Sequence, residues 1–133
     1  MMREASIRLP EADALRAALP LDLRAIRERL EAEGGGVRIV HASAALELRI
    51  EVLVSPGPGT LRVERGDAVY LVLDGQGLLG SEEGEPLDLV AGEAVMVPAG
   101  VRHVLYADPR LSLLVTTAPG WRPVAPLAVC RPS

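Results

Sequence analysis

A mainly β fold, a sandwich or barrel of short strands behind an N-terminal helical extension, is predicted by three observations. From Val37 onward apolar residues alternate with polar ones. Gly, Pro and Asp clusters interrupt that alternation at short intervals. Helical periodicity is confined to residues 10–33. Many short strands with regularly spaced turn signals are the pattern of sandwiches and barrels.

The helical part comes first. EADALRAAL predicts a short helix that Pro20 ends. Asp22 then caps a second helix, LRAIRERLEAE, with Leu23, Ile26 and Leu30 on one face. Arg24–Glu28, Arg27–Glu31 and Arg29–Glu33 are i, i+4 pairs expected on its wet side. Gly34 to Gly36 stops the helix. The strands follow as VRIVHAS, LELRIEVLV, LRVER, AVYLVLD, LLGSEE, PLDLV, AVMVP, VRHVLYA and LSLLVTT. In LELRIEVLV the apolar set Leu46, Leu48, Ile50, Val52 and Val54 faces one way, and Glu47, Arg49 and Glu51 the other. Turns are expected at SPGPGT, Gly66-Asp67, GQG, AGE, Ala99-Gly100 and Asp108-Pro109. The organisation expected is an extension over 1–36, a β domain over 37–117 and a Pro-rich tail over 118–133.

Composition removes several function classes. The 133 residues suit one domain. A net charge of −4 and only three aromatic residues, Tyr70, Tyr106 and Trp121, argue against nucleic-acid binding. No apolar run approaches the ~20 residues of a membrane span, so no membrane partner is expected. All basic residues are Arg, which excludes Lys Schiff-base chemistry. The single Cys130 and an N-terminus without an apolar leader core fit a cytoplasmic protein. There is no G-x-S-x-G elbow, phosphate loop, C-x-x-C or H-E-x-x-H.

One spaced pattern remains. Gly92-x5-Pro98-x-Gly100-x2-His103 matches the second motif of the cupin family, G-x5-P-x-G-x2-H-x3-N, through the His; the final Asn is Ala107 here. AVYLVLDGQG resembles the end of the first cupin motif, with Gly75 as its terminal Gly. The resemblance covers about residues 45–117. It implies a double-stranded β-helix, or jelly-roll barrel, usually a homodimer.

The resemblance also implies a metal site, normally two His and a Glu from motif one with the His of motif two. Counting back from Gly75, the Glu position falls on Ala68 and the two His positions on Arg62 and Glu64. A one-residue longer spacer would put them on Leu61 and Val63. Ala68 has no donor, and Arg62 is a permanent cation that repels a divalent ion. The expectation is therefore a site without the usual metal or other cofactor; His103 and Glu64 are the ligands available if one binds. Asp67 is within reach but reads as a turn residue, and His41 lies on an earlier strand where the family motif does not place it.

Without metal, Arg62, Glu64, Tyr70 and His103 are the expected ligand-binding set, suited to a small anionic or carbonyl molecule. A closed network of the same groups is the bland alternative. Three functions stay open. The leading one is a metal-free small-molecule-binding cupin. The second is a cupin enzyme: an isomerase or epimerase using His103 with Tyr70, or a dioxygenase-like protein with an unusual metal shell. The third is a purely structural dimer module, with Tyr106 on its packing or dimer face.

Overall fold

A computed structural model describes residues 18, 20–55, 59, 61–82 and 84–118. The expected first helix and the tail with Trp121 and Cys130 lie outside them. One helix, α1 (Leu23–Ala32), precedes seven strands: β1 (Gly36–Ala42), β2 (Glu47–Val54), β3 (Leu61–Arg62), β4 (Ala68–Ser81), β5 (Leu87–Val90), β6 (Ala94–Val97) and β7 (His103–Thr117). No helix among the described residues is long and apolar enough to cross a membrane.

α1 begins where its cap predicts. The Asp22 carboxylate accepts the Ala25 N–H at 3.0 Å. It ends as Gly35 N–H reaches back to the Leu30 carbonyl at 2.8 Å, with Gly34 at φ +89°. Leu23, Ile26 and Leu30 pack on Ile50 and Val52 of β2, with Val40, Leu73 and Leu114 around them. One expected surface pair proves structural. Glu31, bonded to Arg27 at 2.9 Å, also accepts the Ser112 hydroxyl at 2.9 Å, and Asp74 takes Arg110 at 2.9 Å. The pair is half-buried because this helix edge meets the sheet rather than water.

The strands depart from expectation in one informative way. GQG and Asp108-Pro109 do not reverse the chain. β4 and β7 each run through these points, paired antiparallel from Ala68↔Thr117 to Ser81↔His103. Both bend at the same level, where the ladder shifts register beside Gly75 and Gly77. Glycine is required there. A Cβ on Gly75 would lie 2.0 Å from the Arg110 carbonyl oxygen, and one on Gly77 2.0 Å from that of Tyr106. Asp108-Pro109 is a cis peptide opposite this bend.

The bend folds the long ladder over itself into two half-sheets. In the first, β1, β2, the C-terminal half of β7, the N-terminal half of β4 and β6 lie side by side. In the second, β3, the start of β7, the end of β4 and β5 do so. Their inner faces share one core: Ala68, Tyr70, Val72 and Val97 with Leu111, Leu113 and Val115 from one side, Leu79, Leu89 and Leu105 from the other. α1 covers the outer face of the first half-sheet.

β2 follows the predicted alternation, but its polar face is not wet. Glu51 pairs with Leu113 and Arg49 with Val115, both core residues, so that face looks into the lumen. The strand predicted over 61–65 is only Leu61–Arg62, because the chain then turns to meet Gly100.

We expect Gly77→Ala to lose about 3 kcal/mol or more in denaturant unfolding, since the clash is with backbone and nothing flexible can yield. Gly84→Ala is the control: it meets nothing within 4 Å and carries only its positive φ, so its loss should be about 1 kcal/mol.

Candidate functional site

The lumen holds a continuous polar chain. At its deep end is His103, 1 % exposed, the first residue of β7. The corner before it is built as the motif requires: Gly100 adopts φ +83° and donates to the Glu64 carbonyl, and Val101 N–H returns to the Pro98 carbonyl. This corner sets the strand phase that turns His103 inward, opposite Arg62 and Ser81. Asp67 secures the same corner by accepting Ala99 N–H at 2.9 Å.

His103 Nδ1 lies 2.9 Å from the Val101 carbonyl oxygen. A carbonyl only accepts, so Nδ1 carries a proton and Nε2 is the nitrogen left to exchange one. Nε2 lies 2.8 Å from the Tyr70 hydroxyl, with the rings edge to face. Tyr70 is fully buried on β4 and also reaches Glu64 Oε2 at 3.2 Å. With Nε2 unprotonated, the tyrosine proton points to His103. With Nε2 protonated, His103 donates to the tyrosine oxygen and the tyrosine proton turns to Glu64. Burial, followed by the Glu64 carboxylate, pushes the Tyr70 hydroxyl up to about 12, so it stays a proton carrier near neutrality.

Two arginines complete the chain. Arg49 Nη2 donates to Glu64 Oε2 at 2.9 Å, and its Nε donates to Glu51. Arg62 grips Glu51 with two bonds, Nη2–Oε1 at 2.7 Å and Nη1–Oε2 at 3.2 Å. Glu51 is thus the hub, only 2 % exposed. Burial alone would raise its pKa; the two guanidiniums outweigh that and hold the carboxyl below its usual range. Burial likewise acts to lower both arginines, and their carboxylate partners more than reverse it.

All four expected residues therefore meet in one lumen, and Glu51 and Arg49 join them. Their sequence signal was the polar alternation of β2, whose face could not be assigned without knowing that helix α1 takes the other one. His41 is not part of the site. A register shift after Ile39 sets it opposite Leu48 on edge strand β1, exposed. Tyr106 points outward, as its phase relative to His103 predicts.

The residues do not fit the divalent metal that the motif implies. Leu61 faces outward beside Val104, so Arg62 and Glu64 are the lumen-facing pair. Arg62 and Ala68 offer no lone pair, Glu64 is engaged by Arg49 and Tyr70, and the free nitrogen of His103 by Tyr70. Among the described residues, no group of three His, Cys, Asp or Glu side chains is placed to hold a metal ion.

No protein-family model matches the chain. No curated protein matches it either. Solved structures do. A protein from Thermus thermophilus is similar at 29% identity and TM-score 0.63, over 77% of this chain and 98% of that one. An RmlC-like cupin family protein with a double-stranded β-helix fold, from Methanocaldococcus jannaschii, is similar at 20% identity and TM-score 0.59, over 64% and 80%. A cupin superfamily protein from Desulfitobacterium hafniense is similar at 22% identity and TM-score 0.55, over 64% and 77%.

Replacing Glu51 with Ala leaves two half-buried guanidiniums short of a carboxylate, and we expect a loss of about 3 kcal/mol in urea unfolding. The sign of the pH effect follows from the depressed carboxyl. Its contribution is complete above the ordinary value of 4.5 and is lost as pH falls through the lower folded value. The acid limb of the stability profile should accordingly be flatter in Glu51→Gln than in the parent chain.

Proposed function

We propose that this chain, a cupin by fold, binds a small polar organic molecule at the mouth of its lumen without the usual metal. The reading rests on one observation: donors from Arg49 and Tyr70 converge on a single oxygen of Glu64, a side chain that touches solvent at 18% exposure. Behind that oxygen lie the fully buried Tyr70 ring and His103. Val37 and Ile39, the cross-strand partners of Glu51 and Arg49 on β1, stand exposed on the same sheet face and add apolar surface there. Apolar walls with a few convergent polar groups are the usual make-up of a small-molecule site.

The charge balance narrows the ligand. Arg49 and Arg62 are more than matched by Glu51, Glu64 and, at 3.5 Å from Arg49, Glu47, so the lumen offers no spare positive charge to a multiply charged anion. A carbonyl or hydroxyl group, or a single carboxylate that takes over the Glu64 bonds, is the chemistry that fits.

A second reading has its own support in the 2.8 Å contact between His103 and Tyr70. The pair, continued to Glu64, can shift a proton between opposite ends of a bound molecule, which is what isomerase or epimerase chemistry needs. In that reading His103 Nε2 is the base and the Tyr70 hydroxyl the acid. Loss of turnover in Tyr70→Phe with an unchanged melting temperature would separate it from simple binding.

Two measurements test the proposal. Elemental analysis of the purified protein should give well below one metal per chain, and a chelator should leave the melting temperature unchanged. In a thermal-shift screen of short keto acids, monocarboxylates and sugars, a binder should raise Tm by several degrees at about 100 times its Kd. Tyr70→Phe, which keeps the ring and removes only the hydroxyl, should abolish that shift. Stoichiometric metal, or a shift untouched by Tyr70→Phe, would overturn it.

A further inference from the structure

The carboxylates that face Arg49 are held unequally. Glu51 lies inside β2, its side chain 3% exposed, and takes bonds from Arg49 and from both Nη atoms of Arg62. Glu47 stands off at 3.5 Å, on the rim. Glu64 differs from both. It lies past the end of β3, its side chain 18% exposed. Its bonds from Arg49 and Tyr70 both end on Oε2, and among the described residues none ends on Oε1. Its backbone is pinned separately, because its carbonyl accepts the Gly100 N–H at 3.0 Å. The side chain can therefore rotate outward to water while the corner that aims His103 stays in place. Neither donor depends on Glu64 alone. Arg49 also donates through Nε to Glu51, and the Tyr70 hydroxyl keeps His103 Nε2 at 2.8 Å. Releasing Glu64 thus strands no buried charge, in contrast to releasing Glu51.

We propose that Glu64 is a tethered stand-in for the ligand, and that the ligand is a monocarboxylate that displaces it. This rests on the binding at the lumen mouth inferred above and adds its control. Release of Glu64 leaves two donors, a guanidinium N–H and a phenol, converging on the place of one carboxylate oxygen. A charged acceptor makes the stronger bond there than a neutral one. One incoming carboxylate restores the charge that Glu64 takes away. A dicarboxylate adds a further negative charge beside Glu47 and Glu51. The site is open only in the fraction of molecules whose Glu64 has swung out, and apparent affinity is the intrinsic affinity scaled by that fraction. A group tethered beside its donors competes at an effective concentration of about millimolar or higher. The parent chain therefore answers to abundant small acids and ignores traces of them.

The probes are acetate and pyruvate, with acetamide as the neutral counterpart of acetate, titrated by calorimetry at constant ionic strength. Glu64→Ala should bind acetate about ten-fold more tightly than the parent, the gain expected if the stand-in is seated in about nine molecules of ten. Acetamide should gain nothing. Glu64→Gln keeps an oxygen for both donors but loses the charge, so its gain should be smaller. Adding Tyr70→Phe to Glu64→Ala should remove most of the gain, while circular dichroism stays that of the parent. Equal acetate affinity in the parent and Glu64→Ala, lost in both on Tyr70→Phe, overturns the stand-in and leaves the mouth site intact. An equal gain for acetamide overturns it too, since the substitution would then only have made room. So does a folded Glu64→Ala that binds neither acid; the mouth site then rests on the neutral compounds of the thermal-shift screen.

Discussion

The pairing of β4 with β7 along their whole length is the constraint on which the rest of the molecule depends. It joins fourteen residues of one strand to fifteen of the other and bends both at one level. Without the bend, Tyr70 and His103 would sit at opposite ends of a long ribbon. With it, two residues 33 positions apart meet at hydrogen-bond distance. The glycines at 75 and 77 are therefore site residues at one remove: they have no side chain to offer, yet they bring the site together. The same fold-over creates two outer faces, and so sets the demand that α1 meets on one of them.

Inside the fold, the lumen is organised by ion pairing. A metal would need donors free to turn toward one point. Here the donors are spent on each other: Glu51 on two arginines, Glu64 on Arg49 and Tyr70, His103 on Tyr70. Such a network gains little net stability over apolar packing, because each charge had to leave water. Its effect is geometric. The two bonds between Arg62 and Glu51 tie β3, a strand of only two residues, to β2 across the barrel. The chain of contacts is graded from the solvent-touching Glu64 to the sealed His103.

Much of this was legible in the sequence, and the failures share one cause. Local chemistry could be read: Asp22 as a cap, Gly100 as a corner, the inward phase of His103 and of Arg62. The cupin fold was legible from one spaced motif. What could not be read was which surface lay opposite. Glu51 and Arg49 belong to an alternating strand whose charged face looks like a water face until helix α1 is found on the apolar one. Arg27 and Glu31 look like a surface pair until Ser112 and Arg110 arrive from residues more than 75 positions away. GQG and Asp108-Pro109 carry turn signals, and only the partner strand shows that they bend the chain without reversing it.

The near-neutrality of the internal ion clusters has a kinetic meaning. In the lumen Arg49 and Arg62 meet Glu51 and Glu64, with the more exposed Glu47 at 3.5 Å from Arg49 as a rim carboxylate, and the set joining α1 to the sheet holds Arg27 and Arg110 with Glu31 and Asp74. Apart from that rim carboxylate each is balanced, so most of the chain's net charge of −4 belongs to residues outside them. The lumen then projects little field into solvent, and a molecule approaching it is not drawn in by long-range attraction. Encounter with the mouth is left to diffusion, with an arrival rate nearly indifferent to ionic strength. On the binding proposed above, discrimination among arriving molecules falls to the short-range bonds at Glu64, Arg49 and Tyr70.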